Sequence, residues 1–577
     1  MTLRLAFPAR SITARALPAL LTVCLCLPPA VGAARYPAST RSSTVALWKG
    51  DRQLAVVNQD AGTLSIFKVR TGRGDLQKKL AEIPVGREPR SVAVDAKGRV
   101  AFVTNAVSAT VSVISLVGDD RFSVIAEIPV GTEPRGCALA PNGTRLFVAN
   151  HTAGTVSVID TASRRVVATT PVGGNPTAVT VTDDGDRDDT DETVFVTRFF
   201  SELTVGKQQP FDDARQGIVV AFAANGSNTP RPITLSPLAT TGFDADRSKF
   251  CPRITADAHS DVYCPDPDAT VVNDTITKNP QGAFPNQLAA ALIRNGKLYL
   301  PNIGAAPAPP VKFNVNVQAL VHVVEVAAQT ERPDLHTNLN AEVKLETAPA
   351  DPTASLDKLF GNDLAAIDAD KNGRVFLLVS RGGNFAFRAS ATAEGKLMLG
   401  TPVVRFQSGN IPNGVAVSRN GTRAYLNNEV GYSVTAIDLA TNRVLARDIP
   451  SSTLPEPGTF DHAVLAGKLA FFSALGISDD GAQRLPIREI VPLAFRGKAS
   501  DNAWSACSSC HPDGLSDNVT WSFADGPRNT IALDAFFAKQ TPADQRISNW
   551  SAVRGSVTDF NNNSRGVQGG IGFAGNP

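Results

Sequence analysis

The 577-residue chain carries 56 Lys and Arg against 54 Asp and Glu, a formal net charge of +2, and 43% of its residues are hydrophobic. That balance excludes a polybasic nucleic-acid binder and a surface strongly drawn to anionic membranes. After the N-terminus, no apolar run reaches the ~20 residues that span a bilayer.

Residues 1–33 read as a secretory signal peptide. Arg4, Arg10 and Arg15 form a positive start without an acid, Ala16 to Leu27 is an apolar stretch, and Val31-Gly32-Ala33 supplies small residues for cleavage. A lipid anchor at Cys24 or Cys26 is the weaker reading, because Val23 and Leu25 stand where a small residue is expected. Cleavage removes three Arg and no acid, taking the formal charge from +2 to −1. Export places the remaining cysteines in an oxidising compartment, where Cys251 and Cys264, bracketing a Pro- and Asp-rich insertion, are a plausible disulfide. Cys137 falls in a strand-like segment and reads as a buried, inert thiol.

The middle of the chain repeats. Glu88-Pro89-Arg90 leads through Phe102-Val103-Thr104-Asn105 to Val111-Ser112-Val113-Ile114. Forty-five residues on, Glu133-Pro134-Arg135 leads through Phe147-Val148-Ala149-Asn150 to Val156-Ser157-Val158-Ile159-Asp160. A third copy opens at Asn175-Pro176-Thr177, and another runs from Asn413-Gly414-Val415 through Tyr425-Leu426-Asn427-Asn428 to Asp438. Each copy holds three or four short runs of β-branched or aromatic residues. Lys97-Gly98, Asn142-Gly143, Asn372-Gly373 and Asn420-Gly421 recur at one hairpin, where positive φ is needed. A period in the forties with four strands per unit predicts a β-propeller. With degenerate copies near 44–85, 285–345 and 362–407, the count is seven blades between about 44 and 455, with six or eight as the alternatives, and insertions near 199–220 and 240–284 are long for ordinary connections. Phe-Val-Thr-Asn and Val-Ser-Val-Ile-Asp resemble the YVTN class of bacterial surface and periplasmic propellers, a WD40-like architecture.

Other clusters read as structure. Asp368-Ala369-Asp370-Lys371-Asn372-Gly373 matches half a calcium loop, but the twelfth position is Val379, so it reads as the recurring hairpin. Asp183 to Glu192 is an acidic loop that offers oxygen ligands to calcium or is simply solvated. His151 reads as a loop residue. His259, His322 and His336 share no spacing, and no metal cluster is expected from them.

After Pro455-Glu456-Pro457 the repeats stop. Asp461 is expected to cap a short helix through Phe471-Phe472. Then comes Cys507-Ser508-Ser509-Cys510-His511-Pro512-Asp513-Gly514, and Cys-x-x-Cys-His is the attachment signature of a c-type haem. Two thiols three positions apart form thioethers to one porphyrin edge, and the next His lies beneath the iron as its proximal ligand. With seven Cys and six His, chance would produce this pattern roughly once in a thousand such chains. The other readings are a redox Cys-x-x-Cys pair, which wants a βαβ context, and half a zinc site, which needs two more ligands. No further Cys or His follows His462. Three of the four Trp lie between 504 and 550, and they serve either a dry haem pocket or plain core packing.

From Gly467-Lys468 through Trp504, the haem motif and Trp521 to Pro527-Arg528-Asn529-Thr530, the chain resembles the first haem domain of bacterial di-haem cytochrome c peroxidase-like (MauG-like) proteins, in the subgroup where that domain follows a YVTN propeller. The resemblance implies a mainly β protein, a seven-bladed propeller followed by a small α-helical cytochrome c-type domain over 458–577. It implies Cys507 and Cys510 as attachment points for haem c and His511 as the iron's proximal ligand. Trp521 and Arg528 match positions near the haem in that pattern, without assigned roles. Such proteins usually continue into a second Cys-x-x-Cys-His domain. This chain has one motif and a Gly- and Asn-rich ending, read as a shortened product lacking the second haem half. His462 is a candidate distal ligand, otherwise a helix-start residue facing solvent. Met398 is the only Met of the mature chain, so His/Met ligation would have to come from the propeller. An open or water-bound iron is the default.

Three functions follow. The first is an exported, periplasmic or cell-surface cytochrome that transfers electrons, with the propeller docking an unnamed redox partner. The second is a peroxidase- or MauG-like haem oxidoreductase. The third is an adhesion or scaffold propeller with a vestigial haem site. Fold does not choose among them.

Overall fold

A computed structural model of the chain describes residues 39–70, 76–245, 271–272, 275–276, 279–308, 316–478, 484–523, 526–533 and 561–572. The signal-peptide reading, the Cys251–Cys264 pairing and His259 lie outside these residues.

The repeat forms seven antiparallel blades. Blade 1 runs from Val45–Trp48 to Leu76–Pro84, blade 2 from Pro89–Val94 to Ser123–Pro129, and blade 3 from Pro134–Leu139 to Arg165–Pro171. Blade 4 runs from Pro176–Val181 to Arg231–Leu235 and blade 5 from Phe284–Asn286 to Thr330–Glu331. Blade 6 spans Leu364–Ala369 to Arg405–Gln407, and blade 7 spans Pro412–Val417 to Arg443–Pro450. The inner strands are apolar on both faces because each blade is covered by its neighbours. Ala55, Val57, Leu64 and Ile66 of blade 1 pack on Val92, Ala101, Val103 and Ile114 of blade 2. The outermost strand of blade 3, Arg165–Pro171, is largely exposed.

The repeated asparagine has a defined task. Asn58, Asn105, Asn150 and Asn428 each donate through Nδ2 to hydroxyls five and seven residues on, for example Thr155 Oγ1 at 3.0 Å and Ser157 Oγ at 2.9 Å from Asn150. One amide thus pins the hairpin between the second and third strands. Gly131 is required beside it, since a Cβ there would stand 2.7 Å from the Asn150 side chain. Gly98, Gly143, Gly373 and Gly421 all take positive φ at the recurring hairpin. Asp370 accepts the backbone N–H groups of Arg374 and Val375 at 2.6 and 2.9 Å, so the half-calcium motif is a side-chain-capped turn.

Every blade draws its strands from one contiguous stretch, and the ring closes where Val45 and Val56 of blade 1 meet Ala416, Tyr425 and Val434 of blade 7. An axial strap reinforces it. Thr40–Arg41 pairs with blade 4, Ser39 donates to the Ile293 carbonyl of blade 5, and Arg41 grips Asp368 of blade 6 at 2.8 Å and the Val415 carbonyl of blade 7.

Four short α-helices occur among the described residues: α1 (Leu339–Val343), α2 (Phe460–Phe472), α3 (Cys507–Cys510) and α4 (Asn561–Gly566). The expected α-helical cytochrome domain is therefore not what the described C-terminal residues form. They are a cap of short helices, 3-10 turns and one hairpin, Thr520–Phe523 with Gly526–Asn529. The physical reason is that their apolar side chains find cover on the propeller. Trp504, Ala506, Val519 and Trp521 join one cluster with Phe284, Phe360, Phe376 and Phe387 of blades 5 and 6. The α2 helix packs Leu465, Ala466, Leu469 and Phe472 against Ile411, Val430 and Tyr432 of blade 7. Its N-cap is Thr459, whose hydroxyl accepts from His462 N–H, while Asp461 sits in the first turn. No helix among the described residues is long and apolar enough to cross a membrane.

Candidate haem-attachment site

The Cys-x-x-Cys turn is α3 itself. It is held from below by buried amides of the propeller. Asn362 donates to Ser509 Oγ at 2.9 Å and to the Trp504 carbonyl at 2.8 Å. Gln287 donates to the Ser509 carbonyl at 2.7 Å, and Asn286 to the Asp517 carbonyl at 3.0 Å. Ser509 also accepts from Ala506 N–H, closing the turn's N-terminus. These anchors make the motif part of the propeller's surface.

Cys507 and Cys510 are free thiols, half-buried on one face of this turn. Burial pushes Cys507 up to about 11 and Cys510 well above the ordinary thiol value, with the nearby Asp517 carboxylate adding to the second. Among the described residues they join no cluster of metal-type ligands, which tells against half a zinc site.

His511 follows with its Nδ1 2.8 Å from the Ile531 carbonyl, and burial lowers its pKa. A neutral imidazole whose Nδ1–H is held by a backbone carbonyl presents Nε2 as its metal-binding atom. Two free thiols on one turn and an imidazole with an oriented Nδ1 are the donor set a c-type haem requires. The residues present fit the group.

Beyond His511 the chain turns sharply: Asp513 and Gly514 both take positive φ, +52° and +77°. The turn drops Asp513 onto the mouth of the propeller's axial channel, where its carboxylate meets Arg135 at 2.9 Å. The mouth is ringed by charge pairs from successive blades: Arg90 with Glu88 at 2.9 Å, Arg135 with Glu133 at 2.6 Å, Arg381 with Asp363 at 2.6 Å, and Lys468 of α2 with Glu429 and Asp60. Burial opposes ionisation of Asp513, but Arg135, Arg90 and Arg381 outweigh it and hold this carboxylate well below its usual range. Below it lies a cavity of about 130 Å³ lined in part by Arg41, Arg90, Arg135, Arg381, Glu429 and Asp513. The repeated Glu-Pro-Arg was legible in sequence; its place as a socket for the Asp513 loop was not.

Asp517 is buried beside the motif. Its carboxylate accepts Trp521 Nε1–H at 3.0 Å and Val519 N–H at 3.0 Å, yet burial dominates and pushes it up to about 7. Trp504 donates its indole N–H to the Gln568 carbonyl. Both Trp side chains are therefore core packing with satisfied polar ends, whatever else they do.

The remaining candidates sit elsewhere. His462 is fully buried rather than solvent-facing: its Nε2 lies 2.9 Å from the Leu485 carbonyl and its Nδ1 has no partner. It belongs to no cluster of metal-type ligands among the described residues. Met398 lies in a short strand paired on Ser390 at the outer part of blade 6. His151 is buried, its Nδ1 3.0 Å from Thr177 Oγ1, and stacks edge-on against Phe199. In the acidic loop, Asp189 accepts from Asn142 N–H and the Thr144 hydroxyl, tying blade 4 to blade 3. His322 and His336, unrelated by spacing, lie together in blade 5.

No family model and no curated protein matches the chain. Among solved structures it is similar to hydrazine synthase of Kuenenia stuttgartiensis, 18% identical over 69% of this chain and 95% of that one, with a TM-score of 0.44. It is also similar to the periplasmic gluconolactonase PpgL of Pseudomonas aeruginosa, 15% identical over 63% and 85%, TM-score 0.40. A third is the dihydro-heme d1 dehydrogenase NirN, 11% identical over 72% and 74%, TM-score 0.35. These likenesses are distant, and the functional reading rests on the site.

Proposed function

We propose that this protein is an exported c-type cytochrome in which one haem, joined to Cys507 and Cys510 and ligated by His511, transfers electrons from a seatlike cap on a β-propeller. The observation that carries this is the His511 Nδ1–Ile531 carbonyl bond beside two free thiols of a single turn. When bound, the haem supplies the redox couple. The chain orients the proximal imidazole, excludes water with Trp504, Val519 and Trp521, and fixes the loop to a rigid ring. The propeller's role is that of scaffold, with docking of a redox partner through its remaining surface.

The test is a reduced-minus-oxidised visible spectrum of protein matured in a haem-attaching host, with acid-acetone extraction. Haem retained on the polypeptide, and lost in the Cys507→Ala/Cys510→Ala variant, supports the reading; haem released by acid-acetone sinks it. A peroxidase-like oxidoreductase is the second reading, favoured by the engagement of His462 on the Leu485 carbonyl and the exposure of Met398, since neither would then serve a bound haem as a second ligand. That reading requires a high-spin ferric spectrum and peroxide turnover.

A further inference from the structure

His322 lies on the Val317–Glu325 strand of blade 5, Glu331 on the short Thr330–Glu331 strand, and His336 just beyond the 3-10 turn Pro333–Leu335. The fold brings them together. One ring nitrogen from each histidine and one Glu331 oxygen lie within 4.8 Å of one another, and the two rings are 4.2 Å apart between centroids. All three are buried or nearly so, the side chains of His336 and Glu331 keeping 4% and 15% of their surface.

One atom in this group is unexplained. Nε2 of His336 is buried without a hydrogen-bond partner, and its closest charged neighbour is Glu331 Oε1 at 3.4 Å. A buried unpaired nitrogen costs about 1–3 kcal/mol, and such an atom in a native protein calls for a water, an ion or a function. The distance itself is informative. It is long for a hydrogen bond, but two ligands each about 2.0–2.1 Å from a tetrahedral zinc stand about 3.3 Å apart.

We propose that His322, Glu331 and His336 form a structural site for a divalent transition-metal ion, best suited to Zn²⁺. The chemistry of the donors selects the ion class. Two imidazoles and one carboxylate suit zinc and its neighbours, whereas magnesium and calcium want oxygen alone. The surroundings orient the ligands as metal sites do. Glu331 is held by the N–H and hydroxyl of Ser236 at 2.6 and 2.9 Å, and a carboxylate retains lone pairs beyond those two bonds. His322 Nε2 lies 3.0 Å from the Ser236 carbonyl, which offers a fourth oxygen. The Asn302 amide faces His322 Nδ1 at 2.9 Å through Nδ2, and its Oδ1 is unpartnered. Turning that amide gives Nδ1–H an acceptor once the ion has taken Nε2, at the expense of the Asn302–Leu300 bond.

Ser236 directly follows the last strand of blade 4, so the ion would staple the seam between blades 4 and 5, where the insertion before Phe284 leaves the ring. The site does not depend on the haem reading.

The experiment uses the full mature protein, stripped with chelator and titrated with Zn²⁺, with bound metal counted by elemental analysis. The expected result is about one equivalent bound, raised thermal stability, and at least tenfold weaker binding in His336→Ala. The Cys507→Ala/Cys510→Ala variant must keep its zinc, since its thiols are the competing donors. Should His336→Ala not fold, Glu331→Gln, nearly isosteric, reads the same loss. No uptake by the wild type, uptake unchanged in both blade-5 variants, or loss only with the cysteines would overturn the proposal.

Discussion

Replacing Asp513 by Asn tests whether the haem loop is locked onto the propeller by charge. The side chain keeps its shape but loses the ion pair to Arg135 at 2.9 Å, where the two partners are 25% and 11% exposed. Exposed pairs contribute about 0–1 kcal/mol and loss of one partner of a buried pair costs about 3–5. This pair lies between those limits. Arg90, Arg135 and Arg381 also keep Glu88, Glu133 and Asp363 as partners, so no cation is orphaned. A loss of about 1–2 kcal/mol follows, confined to the cap. The assay is urea unfolding followed by Trp fluorescence, because Trp504 and Trp521 both sit in the cap, together with a double-mutant cycle against Arg135→Met. The coupling energy should be about 1 kcal/mol or more. The pH dependence has a definite sign: the folded carboxylate is depressed, so its stabilisation is complete above the unfolded value of about 4 and disappears as pH falls through the folded value. Asp513→Asn should abolish that acid loss. A coupling energy below about 0.3 kcal/mol, with acid unfolding unchanged, would refute the latch.

Asp517 carries the opposite sign. Its pKa is raised to about 7 by burial, so between about pH 4 and 7 the folded state holds a proton the unfolded chain has released, and cap stability falls as pH rises through that window, by at most about 1.4 kcal/mol per unit; Asp517→Asn should flatten the slope, read through Trp521. Asn150→Ala removes two buried hydrogen bonds, to Thr155 and Ser157, and should cost about 2–3 kcal/mol in urea unfolding of the propeller, with Asn105→Ala behaving alike. Arg41→Met breaks the axial strap's grip on Asp368 and the Val415 carbonyl; a loss of about 2 kcal/mol is expected, moderated because Arg294 still pairs with Asp368 at 3.2 Å, and an unchanged melting temperature would show that the strap holds nothing.

Much of the propeller is legible in the chain because its information is local. A Phe-Val-Ala-Asn run, a turn and a Val-Ser-Val-Ile-Asp run specify a hairpin whose pinning amide and hydroxyls lie within seven residues of one another. The haem turn is equally local, four residues and the next histidine. The meeting of His322 and His336 was not legible for the contrary reason: the two are joined by a strand reversal that brings their rings together only in the folded blade. The alternative placement of His462, facing solvent, fails because a helix start does not disclose which side will be covered.

The sequence by itself determined the ring of blades and the adjacency of Cys507, Cys510 and His511 on one turn, since both depend on residues close along the chain. Only the tertiary structure decided that the described C-terminal residues form a cap on the propeller. Its aromatic side chains are buried by Phe284, Phe360 and Phe387, and its loop is seated by Arg135, all hundreds of residues or several blades away. Burial against a distant surface leaves no periodic trace in the segment that is buried, and that is why the seat could be seen only once the ring had closed.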